Sequence, residues 1–236
     1  MIYSFIITCE HGGNLIPAAY DSLFQDARPL LDSHRGYDPG ALLVAQELAA
    51  ALGGALVTAT VSRLLVDINR SIGHRQLFST MTCRLPPPIR AEILAQYYRP
   101  YREQVEQLVR QAVSRKQRVL HISSHSFTPE LDGKVRNADV GLLYHPARRG
   151  EVALCAHWKT ILAGLAPTLR VRRNYPYAGK GDGLTAYLRQ RFAADAYIGI
   201  ELEVNQRMTL AGGAPWATLR ALLIDSLRTA SAMHVP

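Results

Sequence analysis

Strand-like apolar segments and amphipathic helical segments alternate along this chain of 236 residues. The strand-like segments are short runs rich in Val, Ile and Leu, and they are apolar on both faces. Such strands need helices above and below them. The order therefore predicts an α/β fold with three layers, in which helices cover both faces of a mostly parallel or mixed central sheet.

Turn residues and periodicity give the boundaries of these segments. The predicted strands occupy residues 2–9, 55–62, 118–124, 138–144, 168–174 and 197–204. The predicted helices occupy residues 39–52, 88–115, about 150–164, 183–194 and 215–233, and the second of them is kinked at Pro100. With 48% hydrophobic residues the chain can bury one substantial core, so we expect one domain over residues 1–236.

Composition excludes several classes of protein. No stretch reaches the roughly 18 to 20 uninterrupted apolar residues of a membrane helix, and the apolar start lacks the basic residues of a signal peptide. We therefore expect a cytoplasmic protein with no membrane partner. Three cysteines, Cys9, Cys83 and Cys155, lie far apart. They argue against a disulfide framework and a thiolate zinc site, so a bound metal would have histidine and carboxylate ligands.

The chain is basic, with 27 Lys and Arg against 19 Asp and Glu and a formal net charge of +8. Its densest basic cluster, Arg170, Arg172 and Arg173, is short, and no helix-turn-helix or zinc-finger pattern surrounds it. We expect no nucleic-acid partner and attribute the charge to attraction of a small anionic substrate. The sequence leaves the oligomeric state open.

Chemically reactive residues gather where the predicted strands end. In α/β sheets, ligands bind at the carboxyl ends of the strands. The residues found there are Glu10 and His11 after the first strand, Asp67, Asn69 and Arg70 after the second, His121 and His125 on the third, and Glu201 and Glu203 on the last. Two histidines, carboxylates and an Asn-Arg pair are the inventory of a metal-dependent hydrolase.

Several stretches resemble the N-formylglutamate amidohydrolase family. They occur in family order from the first strand to the last: CEHGGNLIP, HRGYDPGA, SRLLVDINRS, HISSHSFTP, ADVGLLYHP, RRNYPY and IELEVNQ. More distantly, the arrangement is similar to the zinc-exopeptidase fold (phosphorylase/hydrolase-like) of aspartoacylases, carboxypeptidases and cell-wall amidases. The resemblance implies one divalent metal, Zn²⁺, and hydrolysis of N-formyl-L-glutamate to formate and L-glutamate in histidine degradation.

The resemblance assigns the metal ligands to His11, a carboxylate and a second histidine. His11 follows the first strand at a Gly-Gly turn, where backbone can approach a bound ion closely. For the second histidine we favour His125 over His121, because strand alternation puts both on one face and His125 lies nearer the carboxyl end. His121 is then a hydrogen-bonded histidine of the core or of the shell around the ligands.

The sequence offers several candidates for the carboxylate ligand. Relatives with a His-x-x-Glu pattern have Glu where this chain has Asn14, and an amide oxygen is a poor substitute for a carboxylate on zinc. Asp38 occupies the position at the start of the first helix that cell-wall amidases use. It is equally suited to be a helix N-cap, and both roles stay open here. Glu10 and His34 are reserve candidates, as is Asn14.

The resemblance also implies the substrate-binding residues. Arg70 fits the role of binding the α-carboxylate of the substrate, because its planar guanidinium forms two parallel hydrogen bonds with a carboxylate. Asn69 adds a donor and an acceptor. Arg173 and Asn174 are candidates for contacts with a second carboxylate.

A glutamate on the last strand is the expected general base. Glu203, in LEVNQ, resembles the base of the aspartoacylases, and a carboxylate at the end of a buried strand can take a proton from water. Glu201 lies on the same face and competes for this role.

Other functions stay possible at this point. The nearest is a related zinc amidase that acts on another N-acyl amino acid or on a cell-wall amide. A thiol hydrolase that uses Cys9 beside His11 is less favoured, because the chain has no thiol-hydrolase signature. A non-catalytic ligand-binding or RNA-binding module would rest only on the basic stretch RVRRNYP.

Overall fold

The computed structural model describes residues 3–233. Its strands are β1 (Tyr3–Cys9), β2 (Ala55–Thr58), β3 (Arg118–Phe127), β4 (Glu130–Leu131), β5 (Lys134–Val135), β6 (Val140–Leu143), β7 (Val171–Arg173) and β8 (Tyr197–Asn205). Six of them form a sheet in the order β2-β1-β3-β8-β6-β7, and β4 pairs with β5 in a separate hairpin. Residue 2 of the first predicted strand lies outside the described residues.

The large sheet is mixed, as predicted. Strands β2, β1, β3 and β8 are parallel, whereas β6 runs antiparallel to β8 and parallel to β7. The carboxyl ends of the four parallel strands therefore meet at one edge of the sheet. In the register of β3 and β8, His125 lies beside Glu203 and Ser123 lies beside Glu201.

The helices are α1 (Arg28–Leu31), α2 (Ala41–Leu52), α3 (Pro87–Ile93), α4 (Arg99–Ser114), α5 (Arg149–Leu165), α6 (Leu184–Arg191), α7 (Gln206–Ala211) and α8 (Gly213–Met233). A 3₁₀-helix spans Ala18–Phe24, and a π-helical segment, Leu94–Tyr98, joins α3 to α4. This π-helical segment lies just before Pro100, where the kink is predicted. Pro100 has no N–H to donate to the preceding turn, so the regular hydrogen-bond pattern cannot continue through it.

Helices cover both faces of the sheet, which confirms the predicted three layers. On one face α2, α5 and α8 bury side chains such as Leu48, Trp158 and Leu223 against the strands. On the other face α4 and α6 bury Val105 and Leu188, among others. Some lengths differ from the prediction. β2 ends at Thr58, β7 covers only Val171–Arg173 and α6 ends at Arg191, whereas β3 continues to Phe127 and carries His125 within the strand.

None of the helices in residues 3–233 is both long and apolar enough to cross a membrane. The sequence did not predict α1, α7, the 3₁₀-helix or the β4–β5 hairpin. All four are short, and local patterns in short segments carry little signal.

Candidate active site

A tight turn after β1 places His11 at the carboxyl edge of the sheet. The Gly12 amide donates to the Ala59 carbonyl at 2.9 Å, and the Asp38 amide donates to the His11 carbonyl at 2.9 Å. A Cβ atom on Gly13 would lie only 2.5 Å from the carbonyl oxygen of Thr60. The close approach of the turn to residues 59–60 requires glycine at position 13, whereas the hydrogen bond from the Asp38 amide holds the loop that carries Asp38 beside His11.

His11, Asp38 and His125 lie together in a buried cluster, which we call the ligand group. Each residue offers one atom that could bind a metal, and these three atoms lie within 4.8 Å of one another. The Nδ1 atom of His125 lies 2.9 Å from Oδ2 of Asp38, and the Nδ1 atom of His11 lies 3.5 Å from the same oxygen. Both imidazoles thus direct their Nδ1 atoms at the same oxygen of Asp38. Two histidines and one carboxylate are a common protein ligand set for Zn²⁺.

The far nitrogen of each ring is bound by a second carboxylate. Nε2–H of His11 donates to Oδ1 of Asp67 at 2.7 Å, and Nε2–H of His125 points at Oε2 of Glu10 at 3.0 Å. These hydrogen bonds orient both rings and leave Nδ1 of each one facing Asp38. Histidine ligands of metals usually have such a partner on their other nitrogen.

The Nδ1 atom of His11 is buried and has no hydrogen-bond partner. A buried nitrogen lone pair that faces a carboxylate oxygen is unfavourable unless a proton or a cation lies between them. At His125, hydrogen bonds to Asp38 and Glu10 raise the pKa of the imidazole well above its ordinary value, although burial opposes this. A proton is thus favoured at the position that a divalent metal would occupy, so the three residues fit a metal.

Glu10 is itself firmly held. Its carboxylate accepts hydrogen bonds from the Ser123 hydroxyl at 2.6 Å and from the Tyr101 hydroxyl at 3.1 Å. Burial alone would raise its pKa, but the hydrogen bonds from His125 and Ser123 keep the pKa of Glu10 well below the ordinary value. Glu10, a reserve metal ligand in the sequence, is therefore an ionised partner of His125 and lies outside the ligand group.

Asp38 does not cap the first long helix, so the N-cap reading was wrong. The N-cap of α2 is Gly40, and no side chain forms a capping hydrogen bond there. The second oxygen of Asp38 instead accepts a hydrogen bond from the guanidinium of Arg63. Burial opposes ionisation of Asp38, but the Arg63 charge, the hydrogen bond from His125 and the nearby His11 imidazole keep its pKa well below the usual range.

The two glutamates of β8 differ in their surroundings. Glu201 accepts a hydrogen bond of 2.5 Å from the Thr185 hydroxyl. Glu203 is only 5% exposed, and its Oε2 atom has no hydrogen-bond partner. Burial raises the pKa of Glu203 to about 8; the charges of Asp38 and Glu201 act in the same direction, whereas His125 and Arg63 oppose them. Glu203 is therefore the carboxylate with a free oxygen and a high proton affinity.

A cavity of about 390 Å³, which we call the metal cavity, opens beside the three ligand residues. Both glutamates line it, and so do Asn69 and Arg70. The Arg70 side chain is 34% exposed, and its Nη1 donates to the Asp182 carbonyl at 3.1 Å. The Asn69 side chain accepts from the Leu184 amide at 2.7 Å, which fixes its orientation. A guanidinium and an amide thus lie in one cavity with the metal ligands and Glu203.

Several candidates from the sequence lie elsewhere. The Asn14 side chain donates to Asp32 at 2.8 Å, and neither Asn14 nor His34 belongs to the ligand group. His121 is fully buried, bound to the hydroxyls of Thr8 at 2.8 Å and Tyr197 at 2.6 Å, as expected for a core histidine.

Arg173 and Asn174 do not line the metal cavity. Arg173 is exposed at the end of β7, on the edge of the sheet. The Asn174 side-chain oxygen accepts from the Tyr144 amide at 3.0 Å and the Gly179 amide at 3.2 Å, which is a structural role. The structure therefore does not bring these two residues to the ligand group.

Cys9 is unsuited to be a nucleophile. It is fully buried in the core, and burial raises the pKa of its thiol well above the ordinary value. A thiol that stays protonated at neutral pH does not attack a carbonyl, so the thiol-hydrolase alternative loses its candidate.

Three residues around the ligands had no role assigned from the sequence: Arg63, Asp67 and Tyr101. Asp67 stands in the DINR stretch two positions before Asn69, so that motif could have signalled it. Arg63 stands in the stretch SRLLVDINRS and reaches the site from a loop, whereas Tyr101 reaches it from a helix with no distinctive motif. Their roles depend on tertiary packing.

Comparisons with known proteins place the chain in a family. The family model described as N-formylglutamate amidohydrolase matches residues 3–210. The chain is similar to the crystal structure of gene product Atu2144 from Agrobacterium tumefaciens, with 27% sequence identity, a TM-score of 0.84, and coverage of 98% of this chain and 91% of that one.

A second solved structure, an N-formylglutamate amidohydrolase from Ralstonia eutropha JMP134, has 19% identity, a TM-score of 0.73 and coverage of 98% and 94%. At this identity the likeness shows the fold alone. None of the curated proteins compared with the chain matches it.

Proposed function

We propose that this chain, which belongs to the N-formylglutamate amidohydrolase family, hydrolyses N-formyl-L-glutamate to formate and L-glutamate with one bound Zn²⁺. The observation that carries the proposal is the buried group of His11, Asp38 and His125, in which two Nδ1 atoms face one carboxylate oxygen. This group lies in one cavity with an arginine and an unpaired glutamate.

His11, Asp38 and His125 would hold the metal. A divalent zinc ion supplies a Lewis acid for the formyl carbonyl and for water. The protein supplies the orientation of the ligands: Asp67 and Glu10 fix the two rings through Nε2. Arg63 neutralises the second oxygen of Asp38, so that one oxygen is left for the metal.

Glu203 acts as the general base in this proposal. Its free Oε2 atom lies in the metal cavity, beside His125 in the register of the sheet. From there it takes a proton from the attacking water and delivers it to the nitrogen of the leaving L-glutamate. Glu201 is bound to Thr185 and is less available for this transfer.

Arg70 binds the α-carboxylate of the substrate, and Asn69 adds a hydrogen bond. The side chain of Arg70 is partly exposed in the cavity, and its Nε atom lies 3.8 Å from Asp67, too far for a strong hydrogen bond. Its guanidinium therefore keeps donors for a ligand. We extend the proposal to a place in histidine degradation, as the family resemblance implies, and to the cytoplasm, as the hydropathy pattern of the sequence indicates.

Formate release from N-formyl-L-glutamate by zinc-loaded protein tests this function. The Arg70→Lys variant should lower kcat/KM by about 10- to 100-fold, since a charge-assisted hydrogen bond contributes about 1.5–3 kcal/mol. With N-formyl-L-isoglutamine, whose α-carboxylate is an amide, the same variant should lose much less. Zinc-loaded protein that releases no formate from N-formyl-L-glutamate would refute the proposed reaction.

A further inference from the structure

A second cavity of about 430 Å³ joins the metal cavity. Asp38, Arg63, Arg70, Ser126 and Tyr177 line both cavities, so the two adjoin each other at Asp38. We call the second cavity the outer chamber. Residues that line it and do not line the metal cavity include Arg35, Arg75, Phe78, Phe127, Thr128 and Leu131.

The metal cavity alone has room for the proposed substrate. Pockets for drug-sized ligands span about 300–1,000 Å³, and the metal cavity alone, at about 390 Å³, lies within this range. N-formyl-L-glutamate is smaller than such ligands, and the formyl group carries only hydrogen on its carbonyl carbon. The acyl side of that substrate therefore has no group that could occupy the outer chamber.

The outer chamber is positively charged. Arg35, Arg63, Arg70 and Arg75 line it, whereas the carboxylates that line it, among residues 3–233, are Asp38 and Asp67. Both carboxylates are already hydrogen-bonded to histidines of the ligand group. Within residues 3–233, no hydrogen bond or ion pair involves the side chains of Arg35 and Arg75. Two free guanidinium groups in a concave surface attract an anion.

One wall of the outer chamber is apolar. Phe78, Phe127 and Leu131 contribute it, and Tyr177 lies where the two cavities meet. The guanidinium of Arg136 lies over the Tyr177 ring, 5.1 Å from its centroid, and donates to its hydroxyl at 3.1 Å. The surface therefore suits a short aliphatic chain that ends in a negative charge.

The scissile amide fixes the direction in which such a group would extend. With the α-carboxylate on Arg70 and the carbonyl at the ligand group, the acyl substituent points away from the amino acid. Asp38 and Ser126 line both cavities, so a long acyl substituent that extends past them lies against the outer chamber.

We propose that the outer chamber binds an acyl group longer than formyl that ends in a carboxylate, so that the enzyme also hydrolyses N-acyl-L-glutamates with dicarboxylic acyl groups. This inference rests on the proposed amide hydrolysis at the same ligand group. Water adds to the acyl carbon, the C–N bond breaks, and the nitrogen of L-glutamate takes a proton. The products are a dicarboxylate and L-glutamate.

Two substrates of equal chain length test the proposal: N-glutaryl-L-glutamate, which ends in a carboxylate, and N-valeryl-L-glutamate, which does not. With zinc-loaded protein, kcat/KM for the glutaryl substrate should exceed that for the valeryl substrate by at least about tenfold, the effect of one charge-assisted hydrogen bond. The double variant Arg35→Gln with Arg75→Gln should remove most of this preference and leave N-formyl-L-glutamate hydrolysis unchanged.

The matched control is Arg115→Gln. Arg115 is an exposed arginine at the end of α4 that lines neither cavity, so this variant should keep the preference. Hydrolysis of the glutaryl substrate without hydrolysis of N-formyl-L-glutamate would refute the proposed substrate and support the outer chamber. Equal rates with the glutaryl and valeryl substrates, or an equal loss with all substrates in the double variant, would overturn the inference.

Discussion

At the scale of single residues, each histidine of the ligand group has a carboxylate on both sides. Asp38 faces both Nδ1 atoms, whereas Asp67 and Glu10 bind the two Nε2 atoms. His11, Asp38 and His125 were predicted from the family resemblance together with their positions at strand ends and before a helix. The sequence could not tell whether Glu10 binds the metal or instead contacts a histidine that does. Glu10 and His11 are adjacent, and the direction of each side chain, which decides this, is not visible in the sequence.

Replacing Glu10 should weaken metal binding. Glu10→Gln keeps the shape of the side chain but removes the negative charge that faces Nε2 of His125. We expect the affinity for Zn²⁺ to fall by about 10- to 100-fold, measured by competition with a chromogenic chelator. Glu130→Gln, at an exposed glutamate of the β4–β5 hairpin, is the control and should bind as the wild type does. Unchanged affinity in Glu10→Gln would mean that Glu10 does not tune the metal site.

Replacing the two glutamates of β8 should separate their roles. Glu203→Gln should lower kcat by about 10²- to 10⁴-fold, the usual contribution of a general base, while the bound zinc stays at the wild-type level. Glu201→Gln should stay active. Since the charge of Glu201 raises the pKa of Glu203, the acidic limb of its kcat/KM profile should move to lower pH. The opposite pattern, with Glu201→Gln inactive, would transfer the role of base to Glu201.

His121 should make stability depend on pH. Burial lowers the pKa of His121 to about 4, whereas an unfolded histidine has a pKa of about 6.5. Between these values the unfolded chain binds a proton that the folded protein does not, so stability falls as pH falls. From pH 7 to pH 5 the free energy of unfolding should drop by about 2 kcal/mol more in the wild type than in His121→Gln, as measured by urea denaturation. An equal drop in both proteins would exclude this contribution.

At the scale of elements, long periodic segments were predictable and short ones were not. Helices α2, α5 and α8 lie close to their predicted ranges, because their apolar stripes pack on one face of the sheet. The end of β3 was placed too early. The polar run of Ser123 to Ser126 reads as a loop, yet the hydrogen bonds to β8 continue to Phe127. Pairing with a neighbouring strand decided the length, and a single sequence does not show that pairing.

The turn after β1 depends on Gly13. A Cβ atom there would meet the Thr60 carbonyl at 2.5 Å, so Gly13→Ala must push the two segments apart. We expect a loss of about 1–3 kcal/mol in the free energy of unfolding, as in other overpacked sites. Gly164→Ala is the matched control. Gly164 lies in α5 with no atom within 4 Å of an added Cβ, so this change should be neutral or stabilising by up to about 1 kcal/mol. Equal stabilities of the two variants would contradict the crowding argument.

At the scale of the whole molecule, the parallel strands bring distant parts of the chain to one edge of the sheet. His11 and His125 are far apart in sequence, yet their rings are 5.2 Å apart between centroids. The rule that ligand sites lie at the carboxyl ends of strands was enough to predict this meeting, and the predicted family and the mixed three-layer sheet are confirmed. The predictions of one domain and of a cytoplasmic location stay predictions.

The same rule could not predict which helices and loops would complete the site. Tyr101 reaches Glu10 from α4, on a face of the sheet that the strand pattern does not specify. Arg63 comes from a loop whose path depends on the glycines after β1. The outer chamber likewise arises where several loops meet. These features depend on packing between elements, which the periodicity of strands and helices does not predict.

The central claim is that one metal ion at His11, Asp38 and His125 is needed for amide hydrolysis. The direct measurement titrates Zn²⁺ into chelator-treated protein and follows formate release from N-formyl-L-glutamate. We predict that the treated protein is inactive and that its activity rises linearly with added zinc until it reaches a plateau at about one zinc per chain. The His125→Ala variant should stay inactive at this zinc level. Full activity in protein shown by elemental analysis to contain no metal would contradict the claim.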